Sequence, residues 1–405
     1  MSHGHDKPLP NTDLPPIAGL GPLIIGAAIA GVVGLLLTLL GGLSQPRQAL
    51  LAYLVAFVFW LGISIGGITL VMANHAAGAK WNVSMRRFGE SMGAVLPLFI
   101  ALFLPLLFGA KHIWFWVDPP PNLPEEMVKH LEHKRSYLNM SSFTLRAVGY
   151  FLIWAGLSWL LRGASLAQDR DGDPRHTMRM RAWSAPGLVF FALTFTFASF
   201  DWLMSLQPTW YSTIFGLYVY AGAFLGSLAV QCLIVTGVRS SGSPLGAVIS
   251  VDQQHNMGKL LLAFTAFWAY MAFSQYMLIW AGNLPEELQW IIVRSRGPWR
   301  PVGQLILVGQ FLVPFFLLLS RDLKRSPPAL AAVSVWVLFI HYVDTYWVVM
   351  PAADLARLGL HWTHLTAFVG IGGVSIAACA ALLRSARPVP VRDPFLEDSL
   401  RYAQP

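Results

Sequence analysis

Ten apolar stretches, each long enough to cross a bilayer, run through this 405-residue chain and leave it few folds to choose from. A helix needs about 20 apolar residues to cross about 30 Å of hydrocarbon, where every backbone amide must find its partner within the protein. The spans read as 18–42, 49–75, 88–109, 144–163, 184–205, 212–237, 258–282, 301–319, 329–349 and 361–383. With 55% hydrophobic and only 12% charged residues, the soluble globular classes drop out. The expected fold class is an all-α polytopic membrane protein.

Two cysteines, Cys232 and Cys379, lie in different spans. That pattern excludes a cysteine-ligated iron–sulfur cluster, a zinc ribbon and a covalently attached haem within this chain. No catalytic, metal-ligating or cofactor-binding set is assigned. The net charge of +8 invites a nucleic-acid partner, but the basic residues sit in short loops between spans. With the N-terminus inside, 18 of the 28 Lys and Arg fall on the inner side, so the positive-inside rule places both termini in the cytoplasm. The first span lacks a small-residue cleavage site and reads as a retained helix.

The pentapeptide Asn-Leu-Pro-Glu-Glu starts at residues 122 and 283, 161 apart. Gly-x-x-x-Gly occurs in span 2 (Gly62, Gly66) and span 6 (Gly222, Gly226), 160 apart. The matching offsets point to two copies of a four-helix unit in parallel orientation. The organisation that follows is a polar tail over 1–17 and a peripheral first helix within 18–48. A first bundle over 49–205 carries a long extracytoplasmic loop at 110–143. A second bundle covers 206–349, a peripheral tenth helix lies within 350–383, and 384–405 is a cytoplasmic tail. The loop at 110–143 contains a charged helical stretch from Pro124 to Tyr137. The loop at 164–183, with its Asp-rich run at 169–173, reads as a solvated turn.

Ionisable side chains inside spans are costly and therefore informative. Span 5 aligns Thr194, Asp201 and Ser205 on one face. Span 9 carries Ser334, His341, Asp344 and Thr345, with His341 and Asp344 one turn apart. Span 10 opens with His361 and His364, and span 7 offers Thr265, Gln275 and Tyr276. In this topology Asp201, His341, Asp344, His364, Gln275 and Tyr276 occupy the outer half, with His75 and Glu90 at inner span ends. Such groups can relay protons through water, because His and carboxylates titrate while Tyr, Thr and Gln hold water in line. Against this stands a structural reading in which His341 and Asp344 are a satisfied pair holding span 9 to span 5. Bis-histidine haem ligation by His341 and His364 is a further alternative.

Residues 179–187, 198–216 and 267–287 carry a resemblance. The blocks Ala198-Ser-Phe-Asp201-Trp-Leu-Met-Ser-Leu-Gln-Pro-Thr-Trp-Tyr-Ser212 and Phe267-Trp-Ala-Tyr-Met-Ala-Phe-Ser-Gln-Tyr276 resemble the ActF-type membrane subunit of bacterial alternative complex III. That family is of the polysulfide-reductase membrane-subunit, or NrfD-like, type. The resemblance implies two four-helix bundles and a place in a quinol:cytochrome c oxidoreductase of the respiratory chain in the bacterial cytoplasmic membrane. It implies a sister NrfD-like membrane subunit, an iron–sulfur subunit and c-type haem subunits as partners, with a terminal oxidase as a further candidate. Haem and iron–sulfur centres would then sit on those partners, while this chain scaffolds and offers a proton path or a quinone-adjacent pocket. The other function class left open is a proton-coupled secondary transporter.

Overall fold

The computed structural model describes residues 9–353 and 357–404. The expected tail at 1–17, the segment at 350–383 and the tail at 384–405 thus lie partly outside the described residues. Ten helices are long and apolar enough to cross a membrane: α1 Gly21–Ser44, α2 Pro46–Ala76, α3 Val83–Phe108, α4 Met140–Asp171, α5 Arg175–Leu206, α6 Phe215–Ser240, α7 Val251–Gly282, α8 Trp299–Leu319, α9 Pro327–Ala352 and α10 Thr363–Arg384. No strand occurs among the described residues. The chain is an all-α polytopic membrane protein.

Within α2–α5 the neighbours run α2–α3–α4–α5 and back to α2, and within α6–α9 they run α6–α7–α8–α9 and back to α6. The two bundles meet along α2 and α6, the two most buried spans. At that seam a Cβ on Gly66 would fall 2.3 Å from the Ser227 Cβ, and one on Gly62 2.8 Å from the Ala223 Cβ. Only a missing side chain lets the backbones approach this closely. The matching glycines of α6 do something else. Gly222 and Gly226 face the His341 ring of α9, 3.0 and 2.8 Å from where a Cβ would stand.

The peripheral helices α1 and α10 pack on each other, with Gly31 and Gly34 against Gly373 and Gly370, and α10 joins them to α2. Most of α1 remains exposed, as Leu39 and Leu43 illustrate. These side chains match a lipid environment.

Several helices outrun their apolar windows. The span read over 144–163 is the 32-residue α4, opened by Asn139, whose side chain accepts from the Ser142 amide at 2.9 Å. It closes at Gly172 with φ +72°, and α5 begins at Arg175. The loop expected over 164–183 is therefore a tight turn, a correction whose cause is polar residues that continue the helix into the protein. Asp171 and Asp173 accept the amides of Asp173 and Arg175 at 2.9 and 2.8 Å and hold that turn. In the loop at 110–143 the charged helix is Glu125–Lys134. The second pentapeptide likewise leads into a helix, Pro285–Ser295, after Asn283 in a left-handed conformation. In both copies the proline opens a helix along the face opposite the chain termini.

At the end carrying the termini, residues after α10 fold back onto the helix ends. Asp393 meets Arg86 at 2.6 Å, Gln253 of α7 donates to the Ser399 carbonyl at 2.8 Å, and Gln404 bonds His255 at 2.7 Å. The tail read from 384 is a packed lid over this end.

Replacing Gly66 by Leu should force α2 and α6 apart and destabilise the protein by roughly 1–3 kcal/mol. Gly237→Ala, where the added methyl meets nothing within 4 Å, should leave the melting temperature unchanged or raise it. Thermal unfolding of both variants in the same detergent measures the contrast.

Candidate functional site

Asp201 and Asp344, the aspartates away from the terminal ends of their spans, sit in different electrostatic settings. Asp201, near the end of α5, is fully buried. Arg146 of α4 donates to both its oxygens, Nε at 2.8 Å and Nη2 at 2.9 Å, and the Tyr150 hydroxyl donates at 2.8 Å. The guanidinium also stacks on the Tyr137 ring, 3.8 Å from its centroid. A bidentate pair of this kind fixes a carboxylate in one orientation. Thr194, read on the same face, instead accepts the Trp154 indole at 2.9 Å.

Asp344 of α9 has no such cation. Its oxygens accept from the Tyr218 hydroxyl of α6 and, at 3.2 Å, from the Trp268 indole of α7. No Lys or Arg forms an ion pair with it among the described residues. Both donors are neutral, so the carboxyl can gain or lose a proton without breaking an ion pair.

His341 sits one turn from Asp344, against Gly222 and Gly226, with its ring 5.4 Å from that of Phe59. Its Nδ1 is buried and lacks a hydrogen-bond partner among the described residues. The reading of a His341–Asp344 pair that ties span 9 to span 5 is corrected on both points. Asp344 is taken up by other donors, and α9 packs on α2, α6 and α8. His364 of α10 lies on the far side of α9, beside Tyr346.

From His341 toward the terminal end, α6 continues with Ser227 and Gln231, whose amide reaches the Ser227 hydroxyl at 3.5 Å. The Gln231 amide oxygen faces Gly89, which precedes Glu90 in α3. Glu90 is enclosed, accepting from Arg86 and Arg87 at 2.8 Å each. Arg87 also reaches Asp169 at 2.5 Å, Arg86 reaches Asp393, and Arg162 donates to Ser91 at 2.8 Å. His75 borders a small polar void beside Asn74, Arg86 and Asp393. Three arginines and three acids thus share one buried cluster, to which sequence reading assigned only Glu90. The Arg86–Glu90 spacing at i, i+4 is a signal that could have extended it. Asp393, 307 residues away, leaves none.

Gln275 and Tyr276 face elsewhere, lining a cavity of about 820 Å³ between α7 and α8. Tyr218 and Trp268 form its inner wall, so one layer of side chains separates it from Asp344. Arg294, in the helix Pro285–Ser295, closes the end away from the termini. Its guanidinium donates to the carbonyls of Val348 at 2.8 Å, Trp290 at 3.2 Å and Trp347 at 3.3 Å. Burial lowers its pKa to about 9, and it still carries its charge at neutral pH. Sequence reading missed Arg294, Tyr218 and Trp268, since neither an interfacial arginine nor an aromatic in an apolar span stands out by itself.

Of the eight residues expected along a proton path, the structure therefore places Asp344 and His341 together and Glu90 and His75 near one another at the opposite end. Asp201, His364 and the Gln275–Tyr276 pair each stand in separate surroundings. Among the described residues no three His, Cys, Asp or Glu side chains gather where a metal could bind. No family model matches the chain, and no curated protein matches it.

Arg146→Ala should leave Asp201 buried and uncompensated, costing about 3 kcal/mol. Arg146→Ala combined with Asp201→Asn should recover part of that loss. A double-mutant cycle by thermal unfolding reads both.

Proposed function

We propose that this chain is a membrane subunit of a quinol:cytochrome c oxidoreductase, of the ActF, NrfD-like type it resembles. It handles protons and scaffolds the assembly without a redox centre of its own. Electrons run through neighbouring iron–sulfur and c-haem subunits, beside a sister membrane subunit. The lysine and arginine distribution supports the cytoplasmic placement of the face that carries both termini.

The observation that carries the proton role is the bonding of Asp344, a buried carboxyl held by neutral donors alone. A proton added there removes a charge from the low-dielectric interior, and the two donors can still bond the remaining oxygen lone pairs. His341, one turn away with a free ring nitrogen, is the next acceptor toward the terminal face. Ser227, Gln231 and the Glu90 cluster continue the line, with water needed to bridge the gaps. Asp201 serves structure in this scheme, because releasing its charge would strand Arg146.

Tagged Asp344→Asn and Asp201→Asn proteins, purified from the native membrane, test this reading. Asp344→Asn should retain the iron–sulfur and c-haem subunits in wild-type ratio while quinol:cytochrome c turnover falls at least about tenfold. Asp201→Asn should chiefly reduce the amount of assembled complex. Purification of the chain alone, with no redox subunits by mass spectrometry, would sink the reading and bring the transporter forward.

A further inference from the structure

At the terminal face the arginines of the first bundle meet acids of their own chain, whereas the second bundle gathers cations that do not. The arrangement follows from α8, which changes partner along its length. Trp299–Ile306 packs on α9, the π-helical turns Leu307–Leu312 follow, and Val313–Leu319 packs on α7. The chain then turns at Ser320 into a short helix, Arg321–Arg325, which also lies against α7. Arg239, Lys259, Arg321, Lys324 and Arg325 are thereby brought to one end of the bundle.

Three of these cations are engaged within the protein. Arg325 pairs with Asp252 at 2.6 Å. Arg239 donates to the Ile249 carbonyl at 3.2 Å and to the Gln254 side chain. Lys324 lays its stem on Gly258, where a Cβ would stand 2.8 Å from its Cγ. Its ammonium donates to the carbonyls of Leu318 and Leu319, the last of α8, as suits a cation at a helix C-terminus. Lys259 and Arg321 are different. Both are exposed, and neither forms an ion pair among the described residues. Burial, and after it the Lys259 charge, lowers the pKa of the Lys324 ammonium, so the two lysines feel each other. The acids on these elements are Asp252, taken by Arg325, and the exposed Asp322. Positive charge is left over.

Lys259 stands eight residues beyond Val251, about 12 Å along α7 at 1.5 Å per residue. A lysine exposed at that depth of a membrane-spanning helix runs its stem along the hydrocarbon boundary and lifts its ammonium to the headgroup layer. Leu317 and Leu319, exposed in the last turn of α8, offer apolar surface on the hydrocarbon side. Basic groups between span ends, with apolar surface beneath them, suit an acidic headgroup and its chains.

We infer that the terminal-face end of the α7–α8 border binds an anionic phospholipid, with Lys259 and Arg321 on its phosphate oxygens. The site depends on the spans and the pairing of their charges, and not on the redox role proposed above.

Native mass spectrometry of the purified protein with dioleoyl phosphatidylglycerol or dioleoyl phosphatidylcholine tests it. The expected result is a first phosphatidylglycerol held more tightly than phosphatidylcholine. Lys259→Gln or Arg321→Gln should weaken it about fivefold, and the two together about 25-fold. Arg170→Gln with Arg179→Gln removes the same charge from exposed arginines of α4 and α5, which form no ion pair among the described residues, and should leave that affinity as it is. Unchanged melting temperatures of both double variants establish that they fold. Equal losses in the two double variants would reveal a diffuse field and overturn the site. Equal affinity of the wild type for the two lipids would overturn it as well. Displacement of the lipid by millimolar inorganic phosphate would mark a free-anion site and overturn the lipid assignment.

Discussion

Charge inside hydrocarbon must be matched, and the distribution of matched and unmatched groups organises this molecule. Burying an isolated ion costs several kcal/mol even after relaxation, so a buried charge here meets an opposite charge or, as at Arg294, a set of carbonyl oxygens. Asp201 recruits Arg146, and the cluster around Glu90 balances three arginines with three acids. Asp344 stands apart because its donors are neutral. Two aspartates near corresponding ends of α5 and α9 thus have opposite surroundings, one paired with an arginine and the other held by neutral donors.

The repeated features diverge in the same way. The glycine pair of α2 brings α2 against α6, while the glycine pair of α6 makes room for an imidazole. One spacing serves helix association in the first bundle and the seating of His341 in the second. The bundles differ again at α4 and α8. The former runs unbroken for 32 residues, and the latter shifts into π-helical turns and opens a cavity.

The number and order of the spans were legible in the sequence, because hydrocarbon thickness imposes a run length that composition reveals directly. The helix ends were less so. Asn139 and Gly172 bound α4 by capping chemistry that lies outside any apolar window, and Asp169, placed in a loop, is half-buried in that helix and paired with Arg87. For the site, Asp201, Asp344 and His341 stood out as ionisable groups in apolar surroundings. Their partners did not, because Tyr218, Trp268 and Arg146 reach them from other helices. Only the fold could separate a carboxylate facing arginine from one facing tyrosine and tryptophan. The cavity beside Gln275 was equally hidden, since it depends on where α8 changes partner.

The lid formed by the last residues bears on how the chain is made. Arg86 leaves the ribosome 307 residues before Asp393, its partner in the finished protein. At about 5–20 residues per second that interval is roughly 15–60 seconds. Until it ends, the cluster at the terminal face holds one guanidinium more than its acids can balance. A nascent chain cut short before residue 393 would carry this surplus permanently. The electrostatics of this face thus stay unbalanced until residue 393 has been made.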